Sequence, residues 1–194
     1  ARLAGIEDIL FNVEEYPVFA RLPKKDSPNW VEAPGRKAIV DTWSKRVVGV
    51  VGKGYRVVPN LDAILWGYQA CMKAFPETDI VEWNLGKVEA PATGSRCSID
   101  ILHSTATLDF SFVEAGNKPE SYGPFVRLTN SYNGMRALSF EIGFFRKVCG
   151  NGLILPQAVI SFRFNHLKSE IGTQIDFDVS SGAFLKMRQS FLDS

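Results

Sequence analysis

The chain has only two histidines in 194 residues, His103 and His166, so imidazole chemistry has little to work with. Each stands alone in strand-like sequence, which predicts structural roles rather than a general base or a metal ligand. Cysteine is also scarce. Cys71, Cys97 and Cys149 are odd in number and far apart. No CxxC or CxxH spacing is present, which argues against zinc. A reduced, cytosolic protein is the simplest reading. No charge of one sign dominates: 22 Lys+Arg against 21 Asp+Glu leave a net charge of +1. A protein gripping duplex DNA with its whole surface is usually more basic, so any nucleic-acid site here is a local patch. No apolar run approaches the ~18 residues of a membrane span, and no segment resembles a signal peptide. The P-loop, the GxSxG elbow and the HExxH helix are all missing. No cofactor is expected.

Apolar and aromatic residues are plentiful. The chain is 45% hydrophobic, with 14 Phe, 5 Tyr and 4 Trp. Such a composition supports a β-rich core. The length fits a single α+β domain over residues 1–194, with a lead and loop over 1–35 and a core over 36–194. The chain opens on Ala1-Arg2-Leu3-Ala4 without a Met and closes inside an apparent helix. A piece of a longer protein is therefore expected.

Periodicity supplies the elements. Residues 23–35 carry Pro23, Pro28 and Pro34 and read as a loop. Arg36–Thr42 and Arg46–Val51 read as a hairpin around Trp43-Ser44-Lys45, broken by Gly52-Lys53-Gly54. Asn60 is a candidate N-cap for a helix over Leu61–Phe75 that Pro76 ends. Its expected core face holds Leu61, Ile64, Leu65, Tyr68, Met72 and Phe75. From Ile80 to His166 the sequence is almost all strand-like. Leu138, Phe140, Ile142 and Phe144 alternate with Ala137, Ser139, Glu141 and Gly143. Short Gly-, Asn- and Pro-bearing separations, Asn133-Gly134 among them, favour antiparallel connections. Ser180 or Ser181 is placed to cap a closing helix with Phe184, Leu185, Met187, Phe191 and Leu192 on one face. The expected fold is α+β: an antiparallel sheet with an amphipathic helix on one face and a C-terminal helix.

Three basic clusters stand beside aromatics or turn amides: Lys45-Arg46 next to Trp43, then Lys53, Tyr55 and Arg56, then Arg146-Lys147 with Asn151. Arg127, Arg136 and Arg163 add charge in the sheet region. Cations neutralise phosphates and aromatic rings stack on unpaired bases. The same charges also serve simply to protect strand edges. Gly150-Asn151-Gly152 permits close approach of a ligand or of another backbone. Cys149, beside Arg146 and Lys147, is the candidate nucleophile, although no His and Asn partners stand at an identifiable spacing. Asp176 and Asp178 share a strand face and read as solvated.

Four segments, in order, resemble the phage/plasmid-like protein family of unknown function. They are VEEYPVF (Val13–Phe19), the block from Pro34 to Asn60, LTNSYNG (Leu128–Gly134) and FRKVCGNGL (Phe145–Leu153). The family's turn usually carries His-Asp where this chain has Tyr132-Asn133. That exchange removes both ligand types from the turn and leaves Tyr132 as a stacking candidate. The resemblance implies a mobile-element setting and a bacterial cytoplasm, and no established activity.

Three functions follow as expectations. The first is non-catalytic binding of nucleic acid, single-stranded DNA foremost, through Lys45, Arg46, Lys53, Tyr55, Arg56, Tyr132, Arg146, Lys147 and Asn151. The second is an interaction or inhibitor protein with a protein partner. The third is a thiol enzyme built on Cys149. Self-association is left open, and no membrane partner is expected.

Overall fold

Strands with one apolar and one polar edge need a partner layer, and a small-residue helix supplies it. The computed structural model describes residues 2–3, 5–23, 29–104, 108–110, 120–147, 154–167, 171 and 186. In chain order the strands are β1 (Arg2–Leu3), β2 (Val13–Leu22), β3 (Asn29–Asp41) and β4 (Arg46–Gly52). The helix α1 (Asn60–Ala74) follows. Then come β5 (Trp83–Ala90), β6 (Arg96–His103), β7 (Leu108–Phe110), β8 (Glu120–Ser131), β9 (Leu138–Lys147) and β10 (Ile154–Phe164). All pairings are antiparallel. The large sheet has the order β1-β5-β6-β8-β9-β10, with β7 added to β8, and a second sheet has the order β2-β3-β4. The α+β expectation thus holds in its coarse form, with two sheets where one was expected. The predicted closing helix, apart from Lys186, lies outside the described residues, as do Asp176 and Asp178.

The helix covers one face of the large sheet with Ile64, Tyr68, Met72 and Phe75 of the expected stripe, but not with Leu61 and Leu65. Leu61 and Leu65 are 54% and 53% exposed, while Ala63, Ile64, Gly67, Ala70, Cys71 and Ala74 are buried. Small residues let the helix lie close to the strands. A Cβ on Gly67 would come within 2.7 Å of Ile101 Cδ1. Beneath the helix, Ile99, Ile101, Val126, Leu128, Phe140 and Ile142 form the floor of the main core. Each fully buried aliphatic or aromatic side chain contributes roughly 1.5–3 kcal/mol of transfer free energy.

Two further readings change. Residues 29–35, read as loop, belong to β3. Pro17 faces Lys37 and Phe19 faces Glu32, so residues 33–36 oppose only Val18. This irregularity absorbs Pro34, which could not donate to a regular ladder. Asn60 is not the cap but the first helical residue, after Pro59. Its side chain turns inward, donating to Ile9 O at 2.9 Å and accepting from Asn130 Nδ2 at 2.8 Å. Asn130 also donates to Val58 O at 2.8 Å. The network fixes the helix start against the main sheet.

A smaller core of Phe11, Ile39, Val48, Val51 and Tyr132 joins the second sheet to the β8–β9 connection. That connection is the Asn133-Gly134 turn: Asn133 Oδ1 accepts from Met135 N at 3.1 Å and Gly134 has φ +74°.

Candidate functional site

Strand alternation places a polar face on the side of the large sheet away from α1. Two rows cross it. Glu89, Ser98, Thr129, Ser139 and Arg163 are successive partners from β5 to β10, as are Asp100, Arg127, Glu141 and Ser161 from β6 to β10. A cleft of about 350 Å³ opens over these rows. Its walls carry Arg96, Arg136 and Arg163, its floor the hydroxyls of Ser98, Thr129, Ser139 and Ser161, and its edges Glu89 and Glu141.

The charges in this face differ in their commitments. Arg127 grips the buried Asp100 with two bonds, Nε to Oδ1 at 2.6 Å and Nη2 to Oδ2 at 3.0 Å. Hydrogen bonding to Asp100 raises the Arg127 pKa against the opposing effect of burial, and the charges of Asp100, Glu141 and Glu89 add to the rise. Lys87 pairs with Glu89, and its hydrogen bond holds that carboxyl below its ordinary value against burial. Arg96, Arg136 and Arg163 have no ion-pair partner among the described residues. Three uncommitted guanidiniums over a hydroxyl floor form an anion-binding surface.

The β3–β4 turn touches the β5–β6 turn through Arg46. Asp41, buried, accepts from Trp43 N at 2.9 Å and from the Ser44 hydroxyl at 2.5 Å. Burial opposes ionisation of Asp41, but the Ser44 and Trp43 hydrogen bonds and the Arg46 charge outweigh it and lower its pKa. This knot sets Lys45 at φ +57° and leaves Trp43 72% exposed. Arg46 lies 3.7 Å from Asp41 and donates to Ala92 O at 2.8 Å. Ala92 adjoins Pro91, which lines the cleft. Arg46 thus reaches the β5–β6 turn beside the cleft, and Trp43 and Lys45 belong to the same β3–β4 turn as Arg46.

The remaining expected site residues do not converge there. Lys53 sits just past the far end of β4, roughly 20 Å along the strand from Arg46, and lies 3.9 Å from Glu32. Tyr55 spends its ring on His166 and donates its hydroxyl to Ser131 O at 2.6 Å. Arg56 is half-buried; its N–H donates to His166 O at 2.8 Å and its carbonyl accepts from the His166 imidazole Nδ1 at 2.8 Å. Tyr132 is fully buried, and its hydroxyl accepts from Asn60 N at 2.9 Å. Burial raises the phenol's pKa, and the side chain offers no face to a base. Arg146 and Lys147 pair with Leu155 and Ile154 at the end of β9 away from the cleft; their side chains, Cys149 and Asn151 lie outside the described residues.

Sequence reasoning puts Arg127, Arg136 and Arg163 in the sheet region, with Arg136 standing in the β8–β9 connection, but misses Arg96 and the hydroxyl floor. The signal was the polar half of each strand's alternation, set aside there in favour of the apolar half. Among the described residues no group of three or more His, Cys, Asp and Glu side chains is placed to hold a metal ion. No described helix is long and apolar enough to cross a membrane. Comparison with protein-family models, curated proteins and solved structures returned no match.

Proposed function

We propose that the protein binds single-stranded nucleic acid, without catalysis, along a track from the Trp43–Arg46 turn into the arginine-lined cleft. The observation that supports this is the set of three arginines, Arg96, Arg136 and Arg163, with no ion-pair partner among the described residues beside four hydroxyls. Arginine and hydroxyl groups suit phosphate oxygens. Exposed Trp43 on the β3–β4 turn offers one stacking surface, and base stacking of this kind tolerates any sequence. An open sheet face suits an unpaired strand, whose backbone can lie across several β-strands. The resemblance of four sequence segments to the phage/plasmid-like family supports a setting in phage or plasmid DNA metabolism, in the bacterial cytoplasm. Titration of a labelled single strand at low and at moderate salt tests the proposal. It requires binding at low salt that weakens steeply as salt is added.

A second reading, an interaction protein with a protein partner, has one observation of its own. The outer part of the β2–β3 hairpin exposes Phe19, Leu22, Trp30 and Val31, at 49%, 46%, 59% and 45%. Phe19 and Trp30 fall on one face of the hairpin and Leu22 and Val31 on the other, and exposed apolar surface of this kind often meets another protein. On this reading Phe19→Ser and Trp30→Ser weaken a partner's binding and leave strand affinity alone.

A further inference from the structure

Glu141 is the odd group in the cleft. It lies on β9 between Arg127 of β8 and Ser161 of β10. It is half-buried, and beyond the pull of its charge on the neighbouring Arg127, which is bonded to Asp100, it makes no hydrogen bond or ion pair among the described residues. The neighbouring carboxylates are occupied, Asp100 by Arg127 and Glu89 by Lys87. A carboxylate only accepts hydrogen bonds. Partly withdrawn from water, it is best satisfied by a ligand that brings N–H donors.

The arginines call for a phosphate and Glu141 calls for donors, and a nucleotide carries both. Guanine alone among the bases presents two adjacent donors, N1–H and the N2 amino group, on one edge. The two oxygens of a carboxylate accept both in parallel, the geometry that makes Arg–carboxylate pairs strong. Adenine and cytosine place one donor beside a lone pair that the carboxylate repels. Thymine and uracil place one donor between two carbonyls. The cleft's volume of about 350 Å³ stands at the small end of ligand sites and suits a single nucleotide. Resting on the strand-binding reading above, we infer that the cleft is a guanine-selective nucleotide site. Glu141 reads the base edge, while Arg96, Arg136 and Arg163 hold phosphate.

The test compares oligothymidylate with the same strand carrying one central guanine or one central adenine, at low salt, by fluorescence anisotropy. The guanine strand should bind at least about tenfold more tightly than either, the discrimination expected of a good bidentate base contact. Glu141→Gln should bring the guanine strand down to the other two. Arg163→Gln should weaken all three together and leave their ratio unchanged. Equal affinity of the three strands for the unaltered protein overturns guanine selectivity while leaving strand binding intact, and so does a guanine preference that survives in Glu141→Gln. Failure of every strand to bind overturns the strand-binding reading and this one with it.

Discussion

The ring of Tyr55 lies over that of His166, with centroids 4.5 Å apart and planes 11° from parallel. Tyr55 also donates its hydroxyl to Ser131 O at 2.6 Å. His166 Nδ1 lies 2.8 Å from Arg56 O. A carbonyl only accepts, so the proton of this bond is on Nδ1. The stack therefore ties the segment after β10 to the strand connection before α1 and to the end of β8.

This pair makes stability depend on pH. Burial lowers the His166 pKa below its ordinary 6.5, against the opposing bond to Arg56 O. The unfolded chain then takes up the proton before the folded one does. The contribution is fully present above about pH 6.5 and is lost as pH falls through that value toward the folded-state pKa. Melting temperature followed from about pH 8 to about pH 5 should fall in the native protein, and less steeply in His166→Gln.

Arg127 and Asp100 form the bidentate pair in the outer face. Arg127→Ala leaves Asp100 buried beside β8 without its cation. The expected loss is about 3 kcal/mol in urea unfolding. Adding Asp100→Asn to that variant should restore part of the loss, because the stranded charge is gone. A loss that is unchanged in the double variant would show that Asp100 is not held as a charge.

Gly49 marks where the second sheet meets the main one. A Cβ there would overlap the carbonyl group of Tyr132. Gly49→Ala must push β4 away from the β8–β9 turn, at a cost of about 3 kcal/mol. Gly52→Ala, whose Cβ meets nothing within 4 Å, should cost far less in the same denaturation series.

The pattern of these sites shows what was legible beforehand. The β3–β4 hairpin, the position of α1 and the run of antiparallel strands all follow from period and breakers. Local spacing carries such elements. Part of the buried face of α1 is legible, in Ile64, Tyr68, Met72 and Phe75; hydrophobic size wrongly favours Leu61 and Leu65, whereas close approach to Ile101 selects Gly67 and its alanine neighbours. Tyr132 was misjudged because its polar flanks, Asn130-Ser131 and Asn133-Gly134, look like a surface turn. In the structure Asn130 and Ser131 are buried with it. The cleft was only half legible. It is assembled from residues of β5, β6, β8, β9 and β10 together with Pro91 and Arg136 of two connections, and sequence distance hides that juxtaposition.

Cys71 and Cys97 should be inert in the folded protein. Both are buried. Burial raises the Cys71 thiol well above its ordinary value and pushes Cys97 up to about 12. The thiolate is the reactive form, so iodoacetamide should label neither until denaturant is added. Peptide mapping by mass spectrometry reads this directly, and rapid labelling of either in the native protein would contradict their placement in the core.

The central claim is that the arginine-lined face carries phosphate. Its most direct test is the salt dependence of single-strand affinity for the native protein and for Arg96→Gln/Arg136→Gln/Arg163→Gln. Each phosphate contact on a single strand contributes about 0.7 to the slope of log affinity against log salt. The triple variant should therefore bind more weakly at low salt, with a slope shallower by roughly 2. An unchanged affinity and slope, in a variant whose melting curve matches the native protein, would place the strand elsewhere on the molecule and contradict the account.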